Sequence, residues 1–307
     1  MTTYILKRLF AGVITILVVT VVVALLIHIM PGDPVRLLFA MSQTTSAAEI
    51  EAMRQDLGLD LPWYQQYFMY MGRMLRGDWG TTIRGRQDVF RLLWVRIPNT
   101  IVLALSGLLI ALLIGFPLGF LSAYKKGSIV DTAAMTTAIM GISIPHFWLG
   151  LMLMWLFAIE LQWLPVAGQG IKNLILPAVT LGLSQSAVIA RLTRSSMIDI
   201  LGQDFVRTAR SKGLRETMVL YRHALRSGLV TIVAMLGLLF TYMMGGAVVI
   251  ENVFAWNGVG RFSVEQIMER DYPVIQGFIL LYAIVVVVVS VLMDIVYGWL
   301  DPRIKRG

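Results

Sequence analysis

The sequence predicts an all-α, polytopic membrane protein with six transmembrane helices, and three observations carry that reading. Of 307 residues, 57% are hydrophobic and only 14% are charged, a balance outside the range of soluble globular domains. Six apolar runs, at about 9–30, 99–123, 134–158, 174–194, 229–250 and 275–299, each approach or exceed the roughly 20 residues a helix needs to cross a ~30 Å hydrocarbon layer. The basic residues are also unevenly distributed. Six spans place both termini on one side, and segments on that side hold fifteen of the 26 Lys/Arg against six of the 18 acids. That bias makes it the cytoplasmic side.

The first run follows MTTYILKRLF and ends in PGDP. A secretory signal has a shorter apolar stretch and a small-x-small cleavage site, so residues 1–30 read as a retained first span. Residues 31–98 read as an ordered extracytoplasmic loop. Ser46 and Glu49 form a capping box before EIEAMRQDL, with Gly58 as its stop. PWYQQYFMYMGRMLRG reads as an aromatic amphipathic helix from Pro62 to Gly77, and DVFRLLWVRIP opens a third helix at Asp88. Such helices have three readings: a cap over the outer mouth, elements lying in the membrane interface, or plain loop packing.

YKKGS at 124–128 is a short inner turn. Within the fourth run Ser184, Gln185 and Ser186 form a polar centre, tolerable only where it faces other helices or a water-filled path. They are candidate pathway residues. GFPLG at 115–119, GISIPHFWLG at 141–150 and Pro177 suit kinked, closely packed helices.

Enzyme chemistry finds little support. The chain has no Cys, which excludes thiolate nucleophiles and Cys-ligated metals. HExxH, GxSxG and GxxxxGK[ST] are missing, so any ATP must be bound by another chain. His28, His146 and His223 lack metal-ligand spacing. Asp294 is an intramembrane carboxylate that requires a partner, with structural pairing weighed against function, and Trp148, Trp155, Trp163 and Trp299 read as interface anchors. The net charge of +8 is spread over short segments flanking apolar runs, a pattern of cytoplasmic loops rather than of a nucleic-acid face.

One inner segment is long. QDFVRTARSKGLRETMVLYRHALRSG, 203–228, carries six Lys/Arg and two acids, and Phe205, Ala209, Leu214, Met218, Val219 and Leu225 have spacings that make an apolar stripe. Gly213 favours a left-handed helix end, and Lys212 before it complements the helix dipole. The block therefore reads as helix, sharp turn, helix. Two readings are open: docking into a groove on a soluble partner, or lying on anionic lipid.

This block resembles the EAA loop of ABC importer permeases. Arg207, Thr208 and Ala209 occupy the E-A-A positions, Gly213 the glycine, His223, Leu225 and Arg226 the later Ile, Leu and Pro positions. The departures match the R-T-A-x-x-K-G form of the peptide and nickel class. MPGDPV at 30–35, LPAVTLGL, ARLTRSSM, VIENVFAWNGVGRF and RDYPVIQG extend the similarity along the whole chain.

The resemblance implies the first membrane subunit of a type I dipeptide/oligopeptide importer in a bacterial inner membrane, with the permease domain over 95–300, the coupling segment at 203–226 and a cytoplasmic tail at 301–307. It also implies a second homologous permease, two ATPases that bind ATP and Mg, and an extracytoplasmic solute-binding protein. Coupling would rest on Arg207, Thr208, Arg210, Lys212 and Arg215 for polar complementarity. Ala209 and Gly213 would permit close approach, with Leu214 and Phe205 adding apolar contact. The competing readings are a stand-alone secondary transporter or channel, and an intramembrane enzyme.

Overall fold

The computed structural model describes residues 2–29, 51, 55, 60–83, 85–168 and 170–300. The expected capping box at Ser46 and Glu49, the Gly58 stop, the 30–35 stretch and the 301–307 tail lie outside them. Among the described residues there is no strand, only an antiparallel bridge between Thr81 and Asp88. The helices are α1 (Thr2–Ile29), α2 (Trp63–Leu75), α3 (Val89–Trp94), α4 (Ile97–Tyr124), α5 (Ile129–Ser143), α6 (His146–Met154), α7 (Ile171–Leu201), α8 (Asp204–Ser211), α9 (Glu216–Met218), α10 (Leu225–Val253), α11 (Val259–Met268) and α12 (Tyr272–Leu300). Two π-helical turns, Trp155–Glu160 and Val219–Ala224, extend α6 and join α9 to α10.

The chain forms two compact units. One comprises Thr2–Pro98 and Phe262–Val291. In it α2 begins at Pro62, whose carbonyl accepts from Gln65 N and Gln66 N, and ends just before Gly77 at φ +80°, as the sequence anticipates. The Tyr67 hydroxyl meets Thr20 Oγ1 at 3.2 Å and docks α2 on α1. Asp88 caps α3 by accepting from Arg91 N at 2.6 Å. Gly277 of α12 lies so close to α3 that a Cβ would stand 2.8 Å from Val89 Cγ1.

The other unit comprises Asn99–Arg261 and the end of α12 from Leu292. Its pillar is α7, with 67% of its apolar window buried against 44% for Met235–Val253 in α10. Leu103, Leu176, Leu181, Met243, Ile250 and Phe254 form the main core around it. A close partner of α7 is α4, and the reason is legible as a four-residue repeat: Gly107, Gly115 and Gly119 meet Gly182, Ser186 and Ala190. A Cβ on Gly115 would strike the Ser186 carbonyl, and one on Gly119 the Ala190 carbonyl. Small residues let helix backbones approach in lipid, where packing must replace the hydrophobic drive. Gly115→Val is accordingly expected to lower the detergent melting temperature, at an overpacking cost of about 1–3 kcal/mol. Gly72→Val, at a site where a Cβ meets nothing within 4 Å, is the control and should change it far less.

The third expected span differs from its prediction as one helix. α5 and α6 with its π turn are bent by 95° across a short break. Ile144 is extended at φ −81°, ψ 122°, and Pro145 caps α6. A residue before proline is pushed out of the helical region, which breaks the run. The fourth span is longer than expected, and Pro177 lies inside α7.

Candidate functional site

The polar block folds as helix, turn, helix. α8 ends at Lys212, and Gly213 takes φ +72°. Gly213 N donates to Arg210 O at 2.9 Å and Leu214 N to Ala209 O at 3.4 Å, the paired bonds of a Schellman helix end. The chain then turns into α9, the second π turn and α10 without a further break.

Val206, Ala209 and Val219 are buried together inside this hairpin, with Leu214 and Leu201 packed on them. The apolar stripe read from sequence is partly displaced. Val206 belongs to it, whereas Phe205 and Met218 are exposed, as is Tyr221. Tyr221 stacks at 6.0 Å on Phe120 of α4. Of the predicted coupling residues, Ala209 faces the hairpin's own core and Leu214 is half-buried. Arg207, Thr208, Arg210, Lys212, Gly213 and Arg215 are exposed, leaving a basic surface edged by Phe205 and Met218.

One ion pair crosses the turn. Arg210 donates through Nη2 to Glu216 Oε1 at 2.7 Å and through Nε to Oε2 at 3.1 Å. These hydrogen bonds hold the Glu216 carboxyl below its ordinary value of 4.5 and raise the Arg210 guanidinium. A carboxyl lowered on folding stabilises above its unfolded value and loses that contribution as pH falls through the lowered one. The pair is partly exposed, so its worth is under ~1 kcal/mol. Amide exchange at Leu214, corrected for intrinsic rate, should accelerate modestly below pH ~4.5, and Glu216→Gln should remove that pH dependence.

A second pair anchors α7, one of the two helices that carry the hairpin. Asp131 of α5 is buried and accepts from Arg194 of α7 through Nε at 2.6 Å and Nη2 at 2.8 Å. It also accepts from Ser122 Oγ and from Gly127 N at 2.9 Å. One carboxylate thus gathers the end of α4, the turn at 124–128, the start of α5 and the last third of α7. Sequence reading missed it because the partners are 63 residues apart. The available signal was two opposite charges at the margins of apolar runs.

Ser184, Gln185 and Ser186 are buried in α7. Ser184 Oγ donates to Thr180 O at 3.0 Å and Ser186 Oγ to Leu183 O at 2.6 Å. Both hydroxyls are therefore satisfied within their own helix, which is how a polar centre is accommodated in an apolar setting.

At the far end of α10 the fully buried Glu251 is a second organising carboxylate missed from sequence. It accepts from Thr100 Oγ1 at 2.5 Å and from Arg261 N at 2.9 Å, while Thr100 Oγ1 accepts from Val259 N. A Cβ on Gly258 would overlap the Glu251 carboxylate, so the glycine in WNGVG makes room for the acid. Asp294 is also buried. Trp148, Trp155 and Trp163 are exposed, in keeping with interface anchors. Among the described residues no three His, Asp or Glu side chains converge as a metal site.

Residues 115–306 match the family described as binding-protein-dependent transport system inner membrane component, and residues 1–104 match its N-terminal companion. The glutathione transport system permease protein GsiC of Pectobacterium atrosepticum is 40% identical over 306 residues, covering 99% of both chains. The protein of the same name in Escherichia coli (strain K12) is 39% identical over the same length, again with 99% of each chain covered. Among solved structures, a chain of the MetNI methionine ABC transporter in inward-facing conformation aligns with TM-score 0.59 at 17% identity, over 69% of this chain and 97% of that one. A chain from the crystal structure of an amino acid ABC transporter with histidines aligns at 0.55 and 16%, over 68% and 94%. These two carry the fold alone, that of type I importer permeases. The stand-alone transporter reading falls on the full-length match: the chain belongs to the binding-protein-dependent transport system inner membrane components and is a multi-pass permease subunit of an ABC importer.

Proposed function

We propose that this permease forms half of the translocation pathway for peptides or similar small solutes and is driven through the 203–226 hairpin by a separate ATPase. The observation that carries the coupling assignment is the hairpin itself. It is closed by a Schellman turn and clipped by Arg210 and Glu216, and it joins α7 through only Gly202 and the extended Gln203 on one side and runs through the second π turn into α10 on the other. A short rigid element attached to two long helices transmits displacement, whereas a flexible loop would absorb it. Ala209 serves by holding the hairpin shut, while Arg207, Thr208, Lys212 and Arg215 present the docking face. On this reading the partners are a second homologous permease, two ATPases with ATP and Mg, and an extracytoplasmic solute-binding protein. The permease domain runs over 95–300, 31–98 is extracytoplasmic, and both termini, including the 301–307 tail, are cytoplasmic. Ser184, Gln185 and Ser186 lie in the helix assigned to the pathway.

Because full-length relatives are named for glutathione transport, glutathione is the first solute to test. The test is purification in mild detergent after expression with the neighbouring genes, followed by reconstitution. Co-purifying ATPases, and ATP-dependent uptake of glutathione or another peptide, are expected. An isolated chain that transports at the same rate without any nucleotide hydrolase would refute the coupling role. Crosslinking from Thr208→Cys to the ATPase, in a chain with no native cysteine, locates the docking face directly.

A further inference from the structure

The end of α10 remote from the hairpin is fastened to two other parts of its unit. The main stretch of that unit begins at Asn99 and ends at Arg261, and the Glu251 carboxylate holds both points. Its Oε1 accepts from Thr100 Oγ1 and its Oε2 from Arg261 N, while Thr100 Oγ1 accepts in turn from Val259 N at 2.9 Å. Two more bonds close the same clasp: Trp256 Nε1 donates to Asn99 O at 3.1 Å, and Asn99 Nδ2 to Asn257 O at 2.7 Å. The start of α11 is laid on α10 with no room for a side chain. A Cβ on Gly258 would overlap the carboxylate, and one on Gly260 would stand 2.8 Å from Val248 Cα.

Glu251 and Thr100 are 0% and 1% exposed, which leaves neither a surface on which to meet a solute. Such a joint is costly to open, because each bond broken strands another buried polar group. It also stands at the end of a long rod. α10 runs as one helix from Leu225, at the hairpin, to Val253, and Glu251 lies about 39 Å from its start at ~1.5 Å per residue. We infer that Glu251 and Thr100 are positioning residues for transport: their buried clasp makes the first turns of α4 and α11 move with α10, so that motion of the hairpin is delivered at the opposite end of the unit. The inference rests on the hairpin being the ATP-driven element. With the clasp open, α10 moves alone and ATP is consumed with little solute carried.

The test is solute imported per ATP hydrolysed by the assembled transporter in proteoliposomes, with radiolabelled glutathione or, if the wild-type complex takes another peptide, that peptide. Thr100→Val keeps the side-chain shape and deletes the hydroxyl, and should lower the ratio severalfold, as should Glu251→Ala. Thr100→Ser keeps both bonds and should restore it. A purely structural role would reduce the amount of complex and leave the ratio alone. An unchanged ratio in Thr100→Val and Glu251→Ala, or an equal loss in Thr100→Ser, would overturn the inference. Should the first two variants not assemble, Asn99→Cys with Asn257→Cys decides the matter, in a chain with no native cysteine and with cysteine-free partner subunits. A short bifunctional thiol reagent joining the pair should leave import intact, because the two points travel together. Import lost on crosslinking but not on monofunctional labelling would overturn the inference by showing that they part during the cycle. Gly213→Val separates the two claims: normal import by that variant removes the hairpin reading itself, whereas a defective Gly213→Val beside an unchanged ratio in Thr100→Val removes the clasp alone.

Discussion

Gly213→Val is expected to abolish uptake while leaving the chain inserted in the membrane. A Cβ at this position meets nothing within 4 Å, so crowding is not the cause. The cost is conformational. Gly213 sits at φ +72°, where an L-residue pays roughly 1–2 kcal/mol, and β-branching adds to it. Relief comes by rotating out of the left-handed region. That rotation breaks the bonds from Gly213 N and Leu214 N to Arg210 O and Ala209 O, withdraws Leu214 from Val206 and Val219, and opens the angle between α8 and α9. Gly213→Asn is the discriminating partner, because asparagine tolerates this conformation and should retain substantial uptake. Transport by reconstituted complexes, alongside the amount of permease in the membrane, decides the matter. Full uptake by the valine variant would remove the hairpin from the coupling path.

Asp131→Ala is expected to cost more stability than any substitution on the hairpin surface. It removes the carboxylate from a bidentate pair and leaves Arg194, Ser122 Oγ and Gly127 N without their acceptor. Breaking a buried pair by deleting one partner costs roughly 3–5 kcal/mol. Arg194 keeps 28% exposure, which places the loss toward the lower end of that range. The detergent melting temperature should fall by several degrees, and Arg194→Ala in the same background should recover part of the loss because the stranded charge is gone. ATP hydrolysis in complexes that still assemble should become poorly linked to uptake, since α7 no longer holds the turn at 124–128. Additive losses in the double variant would show that the pair has no mutual role.

Much of the fold could be read from the sequence because length and apolarity suffice to find spans, and Pro62, Gly77, Asp88, Lys212 and Gly213 mark helix ends by local backbone chemistry. What resisted reading depends on partners. The stripe buried in the hairpin includes Val206 rather than Phe205 because a 3.6-residue period offers several apolar lines, and only the position of Val219 selects one. The fourth run is interrupted by the polar centre at Ser184, Gln185 and Ser186 yet is the most buried of the described spans, since its Gly182, Ser186 and Ala190 answer Gly107, Gly115 and Gly119 in α4. Small residues score poorly as apolar and well as contact surface. The Asp131–Arg194 and Thr100–Glu251 contacts join positions 63 and 151 residues apart, and nothing local in either sequence context announces the other. The bend at Ile144 was present in the letters as Ile-Pro, but an apolar run that long reads as one rod until the break is weighed against it.

The meeting of α4 and α7 through bare main chain has a mechanical corollary. Side chains between helices act as bearings, allowing one rod to slide or roll by changing rotamer, whereas here Gly115 and Gly119 lie directly on the Ser186 and Ala190 carbonyls and the side chains beside them, Ile110, Ile189 and Thr193, are β-branched and stiff. A tilt delivered to the lower end of α7 is therefore carried by α4 as part of the same plank. Within this unit one place left to bend is the elbow at Ile144 and Pro145, where the ladder of helical bonds is already interrupted.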